Sequence, residues 1–344
     1  MKKNQFRKLI KGVCLSFGCL LLVSCQQNSG ANAEQSNLTQ SNKWQTLETT
    51  GHVHPRHEAA FVEFKGEFYS LGGRRIQPVD IYNPQTQQWR QGSAPPVEIH
   101  HFQPVVYQDA IILAGAMTGR YPNETPIDKM LYYYPEQDKW EFKVNLPKNR
   151  LRGGAGSVIY QDKLYLVAGI QNGHVGGFVP WLDVYDFKSK QWTTLADAPH
   201  ARDHFQAAIL DGKIYAVGGR TTSSATNQVF DLVVKAADVF NIKTQTWQTL
   251  KQGIPTPRAG TSTLVVKDEI WVLGGETNRP PPAHNEVEIL NPSNQSWRSF
   301  TPLNRGRHGT GAILYQDQVW TCCGSGSRGG SPELTSIESI KLTQ

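Results

Sequence analysis

Six short segments carry residues able to bind anions or move protons: HPRHEAA from His54, EIHHFQP from Glu98, LRGGAGS from Leu151, ARDHFQA from Ala201, PRAGTST from Pro257 and GRHGTGA from Gly306. Set in register, they place Arg56, Ile99, Arg152, Arg202, Arg258 and Arg307 at one position. The next position holds His57, His100, Gly153, Asp203, Ala259 and His308, and the one after it Glu58, His101, Gly154, His204, Gly260 and Gly309. Five arginines brought together would form a positive funnel that concentrates anions. Their guanidinium forks match carboxylates with two parallel hydrogen bonds. Histidines with nearby carboxylates exchange protons near neutral pH. The acid–base candidates are therefore His57, Glu58, His101, Asp203, His204 and His308, with no one of them singled out as catalytic. Imidazoles also ligate metals, but these come from separate segments, and the sequence alone predicts neither a metal site nor a cofactor.

The elements that must position these residues repeat along the chain. Each segment leads into an apolar run, a tight polar turn (FKGE, YQDA, YQDK, LDGK, VKDE, YQDQ) and a second run with small residues at its end. Those ends read FYSLGG, IILAGA, LYLVAG, IYAVGG, IWVLGG and VWTCCG, with Ala116, Ala168 and Cys323 departing from glycine. A variable loop follows, then a third run, a polar turn and a tryptophan. The tryptophans are Trp44, Trp89, Trp140, Trp192, Trp247 and Trp297, spaced by 45 to 55 residues. Short runs rich in β-branched and aromatic residues, bounded by turn residues, read as strands. Four strands per unit at a period of about fifty suit blades arranged radially.

On these glycine ends and tryptophans the chain resembles the kelch-repeat β-propeller family, from residue 44 to about 341. The resemblance implies an all-β, six-bladed propeller. Tryptophans and glycine ends are offset, because Trp44 precedes the first unit and LTSIESIKL at the last lacks one. The segment NKWQTL is therefore expected to supply the outer strand of the sixth blade, closing the ring without a free sheet edge. In a four-stranded meander (strands a to d), the start of strand a and the b→c loop share one rim. The five arginines are expected to ring the mouth there. The long b→c loops add Arg120, Tyr121, His174, Trp181, Arg220, Glu276, Arg279 and His284 as ligand-binding candidates, since loops on a rigid scaffold commonly carry specificity.

At the N-terminus, Lys2, Lys3, Arg7, Lys8 and Lys11 precede an apolar run that stops at Cys25. This is secretory-signal architecture, short for a membrane-spanning helix. Leu22-Val23-Ser24-Cys25 resembles the bacterial lipoprotein processing box, which implies a signal peptide over 1–24 and a lipidated Cys25. Residues 25–41 are polar and read as a disordered tether, with the propeller over 42–344. The expected location is extracytoplasmic, lipid-anchored to a bacterial membrane on its periplasmic side or at the cell surface. The chain has 35 basic and 29 acidic residues; without the five signal cations the balance is 30 to 29, which gives no footing for nucleic acid. Cys322 and Cys323 are too few for a disulfide scaffold, and strand alternation points them to opposite faces as two thiols.

The functional expectation is a monomeric binding module for an anionic small molecule, glycan or carboxylate-bearing protein loop, with membrane contact only through the lipid anchor. The alternative is a sugar mutarotase or epimerase acting on an acidic sugar, because secreted bacterial kelch-like propellers include sialic-acid mutarotases. A galactose-oxidase-like copper enzyme would need a Tyr–Cys cofactor, and the propeller's cysteines, Cys322 and Cys323, lie in a degenerate glycine end. A cytoplasmic adaptor role conflicts with the signal.

Overall fold

The computed structural model describes residues 43–342; the signal, Cys25 and tether readings fall on residues outside this range. The described residues fold into six four-stranded antiparallel sheets. Blade 1 comprises Ala59–Phe64, Glu67–Gly72, Val79–Asn83 and Gln88–Gly92 as strands a to d. Blade 6 takes Ala312–Tyr315, Gln318–Cys322 and Ile337–Lys341 from the C-terminal end, and Gln45–Thr46 completes it by pairing with Ser339 and Glu338. The a strands touch one another in order around a closed ring. Among the described residues no helix is long and apolar enough to cross a membrane.

Closure by the N-terminal strand answers the offset of the tryptophans. Trp44 is buried, packs beside Leu264, Trp271 and Leu303 of blade 5, and donates its indole N–H to the Thr301 carbonyl at 2.9 Å. Trp140, Trp192, Trp247 and Trp297 make the same bond to a carbonyl of the preceding blade, at Ser93, Asn145, Ala196 and Gln252. Blade 1 differs: past the closing strand the chain runs on and hydrogen-bonds Thr50 to the backbone of Trp89.

The small-residue ends of strand b are required by backbone conformation. Gly72, Gly115, Ala168, Gly218, Gly274 and Cys323 share one repeat position, and all six have φ between +52° and +74°. This left-handed region is costly for residues with a Cβ. It also corrects the expectation for the cysteines. Cys323 at φ +61° breaks strand alternation, so its Sγ lies 2.8 Å from that of Cys322 rather than on the opposite face. Both thiols are free and buried.

Candidate functional site at the propeller mouth

The arginines do not line the mouth. Arg56, Arg152, Arg202, Arg258 and Arg307 are at most 2% exposed and turn into their own blades. Each donates to the carbonyl of the left-handed residue sixteen positions later, at Gly72, Ala168, Gly218, Gly274 and Cys323. Each also pairs with a strand c carboxylate: Asp80, Asp183, Asp238, Glu288 and Glu338. A left-handed residue turns its carbonyl out of the strand ladder, where the guanidinium collects it. The arginine thus pins strand a to strands b and c of its own sheet. Blade 2 replaces the whole device: Ile99, Ala116 and Leu131 stand at the arginine, glycine and carboxylate positions and pack in one apolar cluster. In four other blades the glycine equivalent to Ala116 is needed for room, because a Cβ there would lie 2.9 to 3.3 Å from arginine side-chain carbons.

The mouth is formed instead by the position two residues after each arginine. Glu58, His101, Gly154, His204, Gly260 and Gly309 all adopt φ between +52° and +65°. Their backbones bond blade to blade: His101 N–H to Glu58 C=O, then Gly154 to His101, His204 to Gly154, Gly260 to His204 and Gly309 to Gly260, with Ala59 N–H closing the circle on Gly309. Three copies use glycine, as the conformation prefers. Three carry side chains that face the central channel, whose lining includes Glu58, His101 and His204. Eighteen non-glycine residues among the described ones adopt positive φ, most of them in polar turns; these three differ in that their side chains meet in the channel.

The irregular residues converge on this channel. His174, from the b→c loop of blade 3, stands against both His101 and His204, the three ring centroids forming a triangle with sides of 4.6 to 5.1 Å. His174 Nδ1 donates to Glu124, 2.9 Å away, which Arg74 holds at 2.6 Å. His204 Nδ1 donates to Asp203, itself fixed by the Thr222 backbone N–H at 2.9 Å and hydroxyl at 2.6 Å. His100 donates through Nε2 to the Gly119 carbonyl, and its Nδ1 meets His101 Nδ1 at 2.6 Å. Burial, reinforced by Arg74, pushes His100 down to about 4. Burial, with His204 and His100 adjacent, holds His101 well below the usual imidazole range. His174 is lowered mainly by burial, partly offset by its bond to Glu124.

Beside this cluster sits a second. His308 Nε2 lies 3.3 Å from Glu276 and its Nδ1 3.7 Å from Glu58, while Glu58 lies 3.4 Å from His101 Nε2. Arg220 pairs with Glu276, both buried. Burial alone would raise Glu276, but His308 and Arg220 draw it down to about 2. For Glu58, burial is likewise outweighed by His204, His308 and His57, and its carboxyl falls below the usual range.

The remaining candidates disperse. His57 bonds Glu333 of the blade 6 loop at 2.6 Å. Tyr121 is exposed and meets the His174 ring edge-on at 5.0 Å, and Arg120 is exposed beside it. Trp181 packs under the Arg150 and Arg152 guanidiniums within blade 3 rather than at the mouth. Arg279 and His284 share Glu286. Sequence reasoning missed Glu124, Arg74 and Thr222, which orient the histidines from loops that no repeat register covers.

A profile of the KLHDC2/KLHL20/DRC7 Kelch-repeats domain matches residues 103–324. The chain belongs to the kelch-repeat family. This kelch chain is 28% identical over 326 residues to Kelch-like protein terF of Aspergillus terreus, covering 88% of this chain and 68% of the fungal one. It is 28% identical over 246 residues to Beta-scruin of Limulus polyphemus, covering 67% of this chain but 25% of that protein. A solved structure titled "Structure of YjhT" superposes with a TM-score of 0.70 at 12% identity, over 85% of this chain and 97% of its own. That likeness supports the propeller fold alone. The kelch repeat read from the sequence is thus matched by the family profile, and the six-bladed ring by the structure.

Proposed function

We propose that this kelch propeller is an extracytoplasmic binding module whose partner is a protein segment bearing apolar side chains and carboxylates, engaged by the b→c rim over blades 1 to 3. The observation that carries this reading is the surface of three consecutive loops. Ile76, Tyr121 and Phe178 are 58%, 54% and 39% exposed, and they are half of the large exposed hydrophobics among the described residues. Arg75 and Arg120 are exposed beside them. Aromatics and arginine are the residue types enriched at protein contacts, and clustered apolar exposure marks such surfaces. The loops are knitted into one platform: Arg74 of blade 1 bonds Glu124 of blade 2, and His174 N–H of blade 3 donates to Pro122 C=O. An anionic partner remains the expectation, with its cations supplied by the loops.

The mutarotase reading keeps acid–base groups at the mouth but loses its carboxylate holders, since the five repeat arginines are spent inside the blades. Lipid anchoring through Cys25 stays part of the proposal on the strength of Leu22-Val23-Ser24-Cys25. The experiment is site-specific photo-crosslinking in the native cell. A photoreactive residue at Tyr121 is expected to trap a restricted set of adducts, and one at Asp211, in an a→b turn, is not. Equal adducts at both positions would refute the rim.

A further inference from the structure

We infer that His101, His174 and His204 form a binding site for one divalent transition-metal ion in the central mouth; the site shares the blade 2 and blade 3 loops with the proposed rim but does not rest on that reading. Protonation follows from the hydrogen-bond network. His174 and His204 each donate Nδ1–H to a carboxylate, Glu124 and Asp203, which leaves both Nε2 atoms as lone pairs. His100 Nε2 donates to a carbonyl oxygen, so its Nδ1 must accept from His101 Nδ1–H. His101 Nε2 is then also a bare lone pair, and this buried atom has no hydrogen-bond partner.

The three lone pairs converge. One nitrogen from each ring lies within 4.8 Å of the others. The Nε2 atoms of His174 and His204 are 3.1 Å apart with no proton for either to donate. Lone pairs facing lone pairs in a buried setting repel, and the Glu58 carboxylate 3.4 Å from His101 Nε2 adds negative charge to the same space. A cation removes every one of these conflicts. Ligand distances of about 2.0–2.1 Å around a tetrahedral ion put nitrogen atoms roughly 3.3 Å from one another, close to the 3.1 Å between the Nε2 atoms of His174 and His204. Each ligand also has the outer hydrogen bond that fixes tautomer and ring orientation in metal sites, two of them to carboxylates.

Imidazole donors favour zinc, iron, cobalt, nickel or copper over magnesium or calcium. Glu58 faces the open side as a fourth ligand or as an acceptor for metal-bound water. Blade 3 carries Gly154 at the repeat position where blades 2 and 4 carry histidine. It supplies its histidine, His174, from its b→c loop instead.

Cobalt(II) is the probe, because its visible absorption reports coordination number. Chelator-treated protein is expected to bind about one Co²⁺ per chain, with the intense bands of a four- or five-coordinate ion. His174→Ala, on a loop, is expected to abolish them, and Glu124→Gln to weaken binding by about 10- to 100-fold. His200→Ala, outside the cluster, is expected to leave them unchanged. X-ray absorption of the loaded wild type should show three imidazole shells, which decides the matter even where a variant melts non-cooperatively. No stoichiometric binding, unchanged binding in His174→Ala, or a shell of oxygen ligands alone would overturn the site.

Discussion

At the head of each innermost strand, two positions only two residues apart behave differently around the ring. At the first, five of six blades carry arginine, and every one is buried with the same carbonyl and the same carboxylate. At the second, glycine appears three times, while blades 1, 2 and 4 place Glu58, His101 and His204 in the same left-handed conformation. The repeated residue belongs to the blade; the residues that break the repeat meet in the mouth. In a repeat protein, recurrence reports what every unit needs to fold, and departure from it at a strained position reports what one place on the ring does.

The largest effect should come from breaking one arginine pin. Glu288→Leu strands the buried Arg258 guanidinium without its counter-charge, and a loss of about 3–5 kcal/mol is expected in urea unfolding. Adding Arg258→Ile copies the apolar arrangement of blade 2 and is expected to recover a substantial part of that loss, because a buried pair replaced by hydrophobics is often near neutral. Double-mutant coupling near zero would break the comparison. It would show that the pin is not a unit.

Opposite behaviour is expected at the mouth. Glu58 holds φ +52° and lies no closer than 3.4 Å to a histidine nitrogen. Glu58→Gly relieves the backbone but removes a half-buried carboxylate that neighbouring histidines hold ionised, so the two effects should offset and stability should change by no more than about 1 kcal/mol. A loss as large as that of Glu288→Leu would mean that Glu58 is structural after all.

A smaller effect is expected from acid. Glu276 titrates near 2 in the folded chain, well below its ordinary value of 4.5. A depressed carboxylate contributes stability that is fully present above the unfolded value and is lost as pH falls through the folded one. The wild type should therefore lose stability between about pH 4.5 and 2, and Glu276→Gln should show a shallower loss over that window. Parallel curves would deny the Arg220–Glu276–His308 cluster its charge.

Much of the scaffold was legible because it repeats. Glycine ends, polar turns and tryptophans gave six blades, and the offset of Trp44 gave the closing strand. Side-chain direction was not legible in the same way. Register places Arg202 at the start of a strand but does not say whether it points to the channel or into the blade. The signal that would have decided it was present: Asp80, Asp183, Asp238 and Glu288 each stand nine residues before a tryptophan, and the copy lacking arginine, blade 2, has Leu131 there. Glu124 and His174 lie on loops of unequal length, so no alignment of repeats could bring them to His101 and His204. The vicinal thiols were misplaced because a left-handed residue at the end of a strand cancels the alternation that the strand obeys.

Crystals of the protein equilibrated with Zn²⁺, measured on both sides of the zinc absorption edge, test most directly whether the irregular residues at the mouth are the site. The account predicts an anomalous peak within ligand distance of the Nε2 atoms of His101, His174 and His204. A mouth without such a peak, at zinc concentrations that load other histidine sites, would contradict it.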